Sequence, residues 1–402
     1  MAQRIKVYLD YAATTPMDKL VLRAMKPYFC EKYGNSGSIH SRGQDAQLAI
    51  NKSREQVAKF LKCKSSEIVF TGSASESDNL AIRGLLKALK RRKRSGEKIH
   101  IITSEIEHKA VLETCQDLEK DKIKVSYIPV GRDGIVNLDD LKAEITSETD
   151  LISIMYVNNE TGIIQPIEKI GSLLEEINKT KEHRIFFHTD AVQAANWLNC
   201  DVDKLKVDLL TLSGHKIYGP KGMGVLYMRH GTPISPMITG GGQEWGFRAG
   251  TENTAGIVGM GTAIAMISEQ RTMNSKKIKK LRDRLVKSVL TAVPGSKLNG
   301  FVLAGASASQ APHIANISFR GVEGEGLVIS LDQKGIAVAT GSACTSHALE
   351  PSHVLIAMGL THLEAHSSLR ISLGKHTTEK EIDYFLNVLP GVVEKLRKIS
   401  GR

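Results

Sequence analysis

From about Ser66 to Met228, short runs of β-branched and apolar residues alternate with longer stretches in which apolar positions recur at helical spacing. The short runs are Glu67–Phe70, Ile99–Thr103, Val125–Val130, Leu151–Val157, Arg184–Thr189, Val207–Leu212 and Val225–Met228. Strands alternating with helices predict an α/β unit with a mostly parallel central sheet covered by helices. In such a sheet the ligand crevice opens at the carboxyl ends of the strands, and the polar residues with chemical potential fall there. The glycine-rich stretch Gly240–Gly250 breaks the rhythm, and a long helix with basic faces, roughly Ala255–Val293, carries the chain into a second, smaller α+β domain. That domain contains the apolar runs Ile314–Phe319, Leu327–Leu331, Ile336–Ala339 and Leu369–Leu373 and a final helix over Thr378–Ile399. There is no internal repeat and no low-complexity segment.

Composition changes this picture little. With 402 residues, 41% of them hydrophobic and 24% charged, the chain has an ordinary globular balance and is long enough for two cores. No apolar stretch has membrane-spanning length, and the N-terminus runs into the strand-like Ile5–Leu9 without the apolar core of a signal peptide, so a cytoplasmic location is expected. The five cysteines (Cys30, Cys63, Cys115, Cys200, Cys344) are scattered without disulfide or metal-site spacing and read as thiols in a reducing compartment. Lys and Arg exceed Asp and Glu by 54 − 43 = 11, with the densest knot at Lys87–Arg94. That knot ends an amphipathic helix starting near Asp78, where cations suit the negative end of the helix dipole, and no aromatic residues interleave it. A solvated helix end is the reading, and nucleic acid is not an expected partner.

The chemistry begins at Thr211–Gly222, where an apolar strand delivers Ser213, His215 and Lys216 to a glycine-flanked turn. Hydroxyl, imidazole and ammonium groups converging there could hold a phosphate and a carbonyl, although alone the stretch reads equally well as a basic surface loop. Asp190 ends the preceding strand, with Gln193 one turn further on. An acid at that position is often only a turn former, but paired with Lys216 it reads as the partner of a protonated pyridine nitrogen. Segment 71–79 follows a strand and opens a helix, so its amides and hydroxyls suit a phosphate; Ser75 could equally cap that helix with Asp78 completing a capping box. His108 follows the strand Ile99–Thr103, Asn159 follows the strand ending at Val157, and Arg370 precedes the strand-like Ile371–Leu373. Cys344 lies among the small residues Gly341, Ser342, Ala343, Thr345 and Ser346, an exposed polar setting unlike the apolar surroundings of Cys63 and Cys200.

These segments, together with Tyr8–Pro16, Thr71–Asn79, Glu107–Val111, Val157–Gly162, Arg248–Thr251 and Gly341–Ser346, resemble the cysteine desulfurases of the IscS/NifS type, members of the class V aminotransferase family among the fold-type I pyridoxal-phosphate enzymes. The resemblance spans nearly the whole chain. It implies a large cofactor-binding domain over 16–260 and a small domain made of 1–15 and 261–402 that carries the cysteine loop. By the same resemblance the amide of Ala74 with Ser75, Ser213, His215 and Thr251 hold the cofactor phosphate, Thr251 reaching across from the other subunit of a homodimer. Asp190 faces the pyridine nitrogen, His108 stacks on the ring and shares in proton transfer, and Gln193 bonds the phenolic oxygen. Asn159 and Arg370 hold the substrate carboxylate, Asn159 also touching the cofactor. Lys216 takes the cofactor aldehyde and moves protons, and Cys344 is the nucleophile that receives sulfur from L-cysteine as a persulfide, leaving L-alanine. Sulfur-acceptor proteins, an iron–sulfur scaffold or a sulfur carrier, would take it onward, the persulfide touching a cluster in transit. No metal is implied.

His347 stands where the family commonly has a small residue, and as imidazolium it could lower the Cys344 pKa or simply point into solvent. Ala339–Thr340 and Ser36 also depart from the family pattern, and the chain ends at Ser400–Arg402, soon after the last helix, which leaves the acceptor open. Two other readings remain at this stage. A selenocysteine lyase or other β-eliminating relative would need no persulfide, and a degenerate fold acting as a basic scaffold would have no use for Lys216, Asp190, His108 and Arg370 together.

Overall fold

A computed structural model describes residues 6–92, 98–300, 310–341 and 350–400. Its strands are Val7–Tyr8 (β1), Ile68–Thr71 (β2), His100–Ser104 (β3), Lys124–Ile128 (β4), Thr149–Ser153 (β5), Phe186–Asp190 (β6), Leu209–Ser213 (β7), Gly224–Met228 (β8), Ser296–Leu298 (β9), Ile314–Phe319 (β10), Ile336–Ala337 (β11) and Ser368–Ser372 (β12). The largest sheet has the order β2-β8-β7-β6-β5-β3-β4, and only β8 runs antiparallel to its neighbours. The carboxyl ends of β2, β7, β6, β5 and β3 therefore share one edge of the sheet. This is the crevice edge that the alternation of strands and helices predicts.

Successive strand residues point to opposite faces, and both faces are packed. Val69, Ile101, Leu151, Phe186, Leu209 and Leu226 enter one apolar layer, while Ile68, Ile102, Ile152, Phe187, Leu210 and Val225 enter the other. Strands β6 and β7 begin later than their apolar runs in the sequence: Ile185 and Val207 are buried but precede them. Apolar patterning reports burial, and burial starts before ladder pairing does. Asp190 and Ser213 are the last residues of their strands, at the crevice edge.

A second core lies around β9, β10 and β12, with β1 paired in parallel to β11. Val7 and Leu9 from the N-terminal segment enter this core beside Ile317, Phe319, Leu369, Ile371, Phe385 and Leu389. The run Leu327–Leu331 is helical, within Gly324–Asp332. Leu327 and Leu331 are buried four residues apart while Ile329 is exposed, a helical period that a five-residue run is too short to display. The helix Thr254–Ala292 spans both cores, about 58 Å long at 1.5 Å per residue. Ile257, Met260, Ala263 and Ile264 on its first half join the large core, and Ile278, Leu281, Leu285 and Val289 on its second half join the small one. Among the described residues no helix is long and apolar enough to cross a membrane.

The sheet edge at β2 is closed by side chains rather than by another strand. Arg54, on the helix Ser41–Leu61, donates to the Ile68 carbonyl at 2.7 Å, and Glu244 Oε2 accepts from the Phe70 amide at 2.8 Å. The two side chains form a buried bidentate pair at 2.7 and 2.8 Å, with the guanidinium lying over the Phe70 and Trp245 rings. This satisfies strand groups that would otherwise template pairing with another chain, and it holds Glu244 and Trp245 in left-handed backbone conformations (φ 47° and 59°). Removing one partner strands the other charge in the interior. Glu244→Ala is expected to cost about 3–5 kcal/mol of folding free energy in urea titrations. A loss below about 1 kcal/mol, the range of an exposed pair, would show that the clamp does not hold the edge.

Candidate active site

The carboxyl-end edge of the large sheet opens into a cavity of about 540 Å³. Ala74, Ser75, His108, Asn159, Asp190, Gln193, Ser213, His215, Lys216 and Arg370 all line it. Of the residues singled out in the sequence, Thr251 is exposed and does not line this cavity. Cys344 and His347 lie outside the described residues. A groove of similar size, about 570 Å³, runs past Val286, Leu290, Leu298 and Leu360, but among the described residues no buried titratable side chain faces it.

Lys216 follows β7 in the turn Gly214–Lys216, and its Nζ donates to the carbonyls of Ala12 and Ala13, both at 2.7 Å. Two carbonyl acceptors keep the amine at the cavity wall. The same segment fixes the rest of the turn. Thr14 Oγ1 lies 3.1 Å from His215 Nδ1, the Thr15 amide and hydroxyl donate to the His215 carbonyl at 2.9 Å, and Thr15 Oγ1 accepts from the Tyr218 amide at 2.8 Å. Burial, with the charges of Lys216 and Lys221, drives His215 down to about 4, so it enters the site as a neutral imidazole.

The floor of the cavity is acidic. Asp190 at the end of β6 accepts from the Val192 amide at 2.9 Å. Burial raises its pKa, and His108, the amide bond and Lys216 pull against that rise. Beside it Asp78 is wholly buried, neither oxygen makes a hydrogen bond among the described residues, and burial together with Asp190 holds its pKa well above the usual carboxylate range. His188 Nε2 stands 3.6 Å from Asp78 Oδ1. Burial pushes that imidazole to about 3, however, so the ring is neutral and the contact is not an ion pair. Glu107 accepts from Ser104 Oγ at 2.6 Å and from the Met155 amide at 2.9 Å, and burial raises it to about 8. His108 caps the helix Lys109–Lys120, its Nδ1 accepting from the Ala110 amide at 3.1 Å. With Nδ1 committed as an acceptor and burial lowering its pKa, the neutral ring carries its hydrogen on Nε2.

Arg370 lies within β12 and is buried, which rules out a solvated strand-end charge. It pairs with Asp10 at 2.9 Å and donates to the Asn159 carbonyl at 3.1 Å. Gln193 Nε2 donates to the Ala12 carbonyl at 2.9 Å. In the loop after β2, Ser73 rather than Ser75 caps the helix that opens at Ala74, accepting from the Glu76 amide, and Asp78 faces inward instead of completing a capping box. Ser75 is thereby left exposed to the cavity. The loop presses closely on β8: a Cβ at Gly224 would meet the Ser73 carbonyl at 2.4 Å.

Several site groups carried no readable role in the sequence. The Ala12 and Ala13 carbonyls are backbone atoms, and their one signal is the motif Tyr8–Pro16 that contains them. Asp10 belongs to the same motif. Glu107 and Asp78 lie in quoted motifs, but their burial is visible only in the fold; His188 lies in an apolar run that reads as a plain strand, and His313 stands just ahead of another.

The description "Aminotransferase class-V" matches residues 7–385. The chain is 47% identical over 395 residues to a Clostridium botulinum (strain Hall) protein named cysteine desulfurase IscS, covering 98% of this chain and 96% of that one. A solved structure described as a NifS-like protein superposes with a TM-score of 0.88 at 39% identity, covering 97% of this chain and 100% of that one. Another, described as SspA in complex with cysteine, superposes with a TM-score of 0.78 at 38% identity over 93% of this chain and 100% of that one. With a match that runs from β1 into the last helix and takes in every described wall of the cavity, this chain belongs to the aminotransferase class-V family.

Proposed function

We infer that the protein is a pyridoxal-phosphate-dependent cysteine desulfurase, converting L-cysteine to L-alanine and passing the sulfur to its own Cys344. The observation that carries this reading is the convergence of Lys216, Asp190, His108 and Arg370 on one cavity. It agrees with relatives named cysteine desulfurase and with the cysteine complex of a similar structure.

The residues present fit the cofactor. Two buried carboxyl groups, Asp190 and Asp78, face the cavity with raised pKa values, and a protonated ring nitrogen at Asp190 would supply the countercharge they lack. Hydroxyl, amide and imidazole groups at Ala74, Ser75, Ser213 and His215 suit a phosphate. Pyridoxal phosphate, when bound, supplies an aldehyde that condenses with amines and a ring that withdraws electrons from the carbon beside the substrate nitrogen.

The chain's own residues do the rest. Lys216 leaves the Ala12 and Ala13 carbonyls to offer its amine, and then moves the proton at the substrate Cα. His108 presents Nε2–H to the cavity as a donor, its other nitrogen being occupied. Arg370, held by Asp10, binds the substrate carboxylate with Asn159, which orients the Cα–H bond. Cys344 thiolate attacks the substrate sulfur: an S–S bond forms, the Cβ–S bond breaks with its electron pair left on carbon, and protonation of Cβ completes alanine. A β-eliminating lyase would release sulfide with no S–S bond, leaving pyruvate and ammonia in place of alanine.

The exposed Thr251 and the exposed apolar side chains Leu20, Leu22, Phe29, Tyr33, Ile39 and Trp245 support a homodimer in which Thr251 of a second copy completes the phosphate site. The same proposal includes the division into 16–260 and 1–15 with 261–402, a cytoplasmic location, and a sulfur-acceptor protein that takes the persulfide onward.

Borohydride reduction of the holoprotein is expected to fix a pyridoxyl group on the peptide containing Lys216, seen by mass spectrometry, and Lys216→Ala to abolish the adduct. A pyridoxyl group on another lysine would remove Lys216 from this role. Cys344→Ala is expected to keep the spectral response to L-cysteine while alanine formation with sulfur transfer falls at least about a hundredfold. Sulfide and pyruvate formed by the variant at the wild-type rate of cysteine consumption would favour the lyase. Asp10→Asn is expected to raise KM for cysteine about tenfold, the worth of one hydrogen bond to a charged group. An unchanged KM would show that Arg370 needs no such anchor.

A further inference from the structure

His313 immediately precedes β10, in the small core, yet its ring reaches the wall of the active site. It is buried, stacks on Trp197 with centroids 4.8 Å apart and planes 21° from parallel, and places Nε2 3.2 Å from Gln193 Oε1. Gln193 also lines the main cavity.

Which way the Gln193 amide points follows from its other neighbour. Its nitrogen lies 2.9 Å from the Ala12 carbonyl, which can only accept, so the NH₂ group must be there and Oε1 must face His313. An amide oxygen facing an imidazole nitrogen needs a donor. The neutral ring therefore carries its hydrogen on Nε2 and leaves Nδ1 as a bare acceptor, and Nδ1 indeed has no partner among the described residues. Burial, with Arg282 and Arg370 nearby, holds His313 near 3, so the ring is neutral at physiological pH. The gap between these groups, about 10 Å³ among Tyr11, Asn196, Tyr218 and Leu373, has room for no more than about one water, which leaves His313 as the direct donor.

We propose that His313 is a positioning residue: by donating from Nε2 to Gln193 Oε1 it locks the amide so that the second N–H of Gln193 stays aimed at the cofactor's phenolic oxygen. The proposal rests on the pyridoxal-phosphate reading of the cavity. It also ties the small core to the cofactor, because the donor comes from the start of β10 and the acceptor from the segment after β6.

The test compares holoprotein carrying His313→Phe, which keeps a ring on Trp197 but has no donor, with His313→Gln, whose Nε2 can replace the imidazole donor. His313→Phe is expected to weaken pyridoxal phosphate binding about three- to tenfold and to shift the balance of the cofactor's two visible bands, at one pH, by a similar factor, the worth of one hydrogen bond. His313→Gln is expected to restore both. In a Gln193→Ala background His313→Phe should have no further effect. Bands and affinity unchanged in His313→Phe, or the same shift in the Gln193→Ala background, would overturn the proposal. Should His313→Phe fail to fold, ¹⁵N spectra of histidine-labelled wild type decide: hydrogen on Nε2 of His313 supports the lock, and hydrogen on Nδ1 overturns it. A wild type that takes up no pyridoxal phosphate overturns the cofactor reading itself, before any variant is compared, and this proposal with it.

Discussion

The Ala12 and Ala13 carbonyls are the point at which the two cores and the reactive lysine meet. They accept from Lys216, and Ala12 also accepts from Gln193. Their segment is fastened at both ends: Asp10 pairs with Arg370 and the Ala12 amide donates to Ser372 Oγ on the small-core side, while Thr14 and Thr15 bind the His215 turn on the large-core side. Without this strap, Lys216 and Arg370 would sit on separate cores, joined chiefly by the long helix Thr254–Ala292. A carbonyl is a good choice for such a junction because it holds an ammonium group without adding a negative charge that would have to be displaced when the amine reacts.

Charge in the site is arranged by depth. The buried acids Asp78, Asp190 and Glu107 are all pushed upward, and the buried imidazoles of His188 and His313 are pushed down to about 3. Burial thus favours the neutral forms of these five groups, and a cation approaching Asp190 would offset it there. A ligand that is cationic where it meets Asp190 and anionic where it meets the Ser75 and Ser213 hydroxyls suits that distribution better than a neutral molecule does.

Much of this was legible in the chain. The runs Arg184–Thr189 and Val207–Leu212 are rich enough in apolar residues to mark strands, and the strand-to-turn positions of Asp190, Ser213 and Lys216 follow from them. The strand-like Ile5–Leu9 and the run Ile336–Ala339 contain the two-residue strands β1 and β11, but the short β9 leaves no pattern to read, and the five-residue run Leu327–Leu331 cannot distinguish a strand from the helix it forms. The site was legible where a side chain has one characteristic role, as with Lys216. It was not where a role depends on distance in sequence: Asp10 meets Arg370 across the fold, and His313 meets Gln193 from another core. The cap after β2 shows the same limit, since Ser73 and Ser75 are chemically alike and only the backbone decides which one accepts from Glu76.

The account claims above all that sulfur leaves cysteine by attack of a protein thiol. A single turnover with ³⁵S-cysteine under substoichiometric, anaerobic conditions tests this most directly. The predicted result is label bound to the protein, recovered on the peptide containing Cys344, released by dithiothreitol, and matched one for one by alanine. Free labelled sulfide with no labelled protein would contradict it.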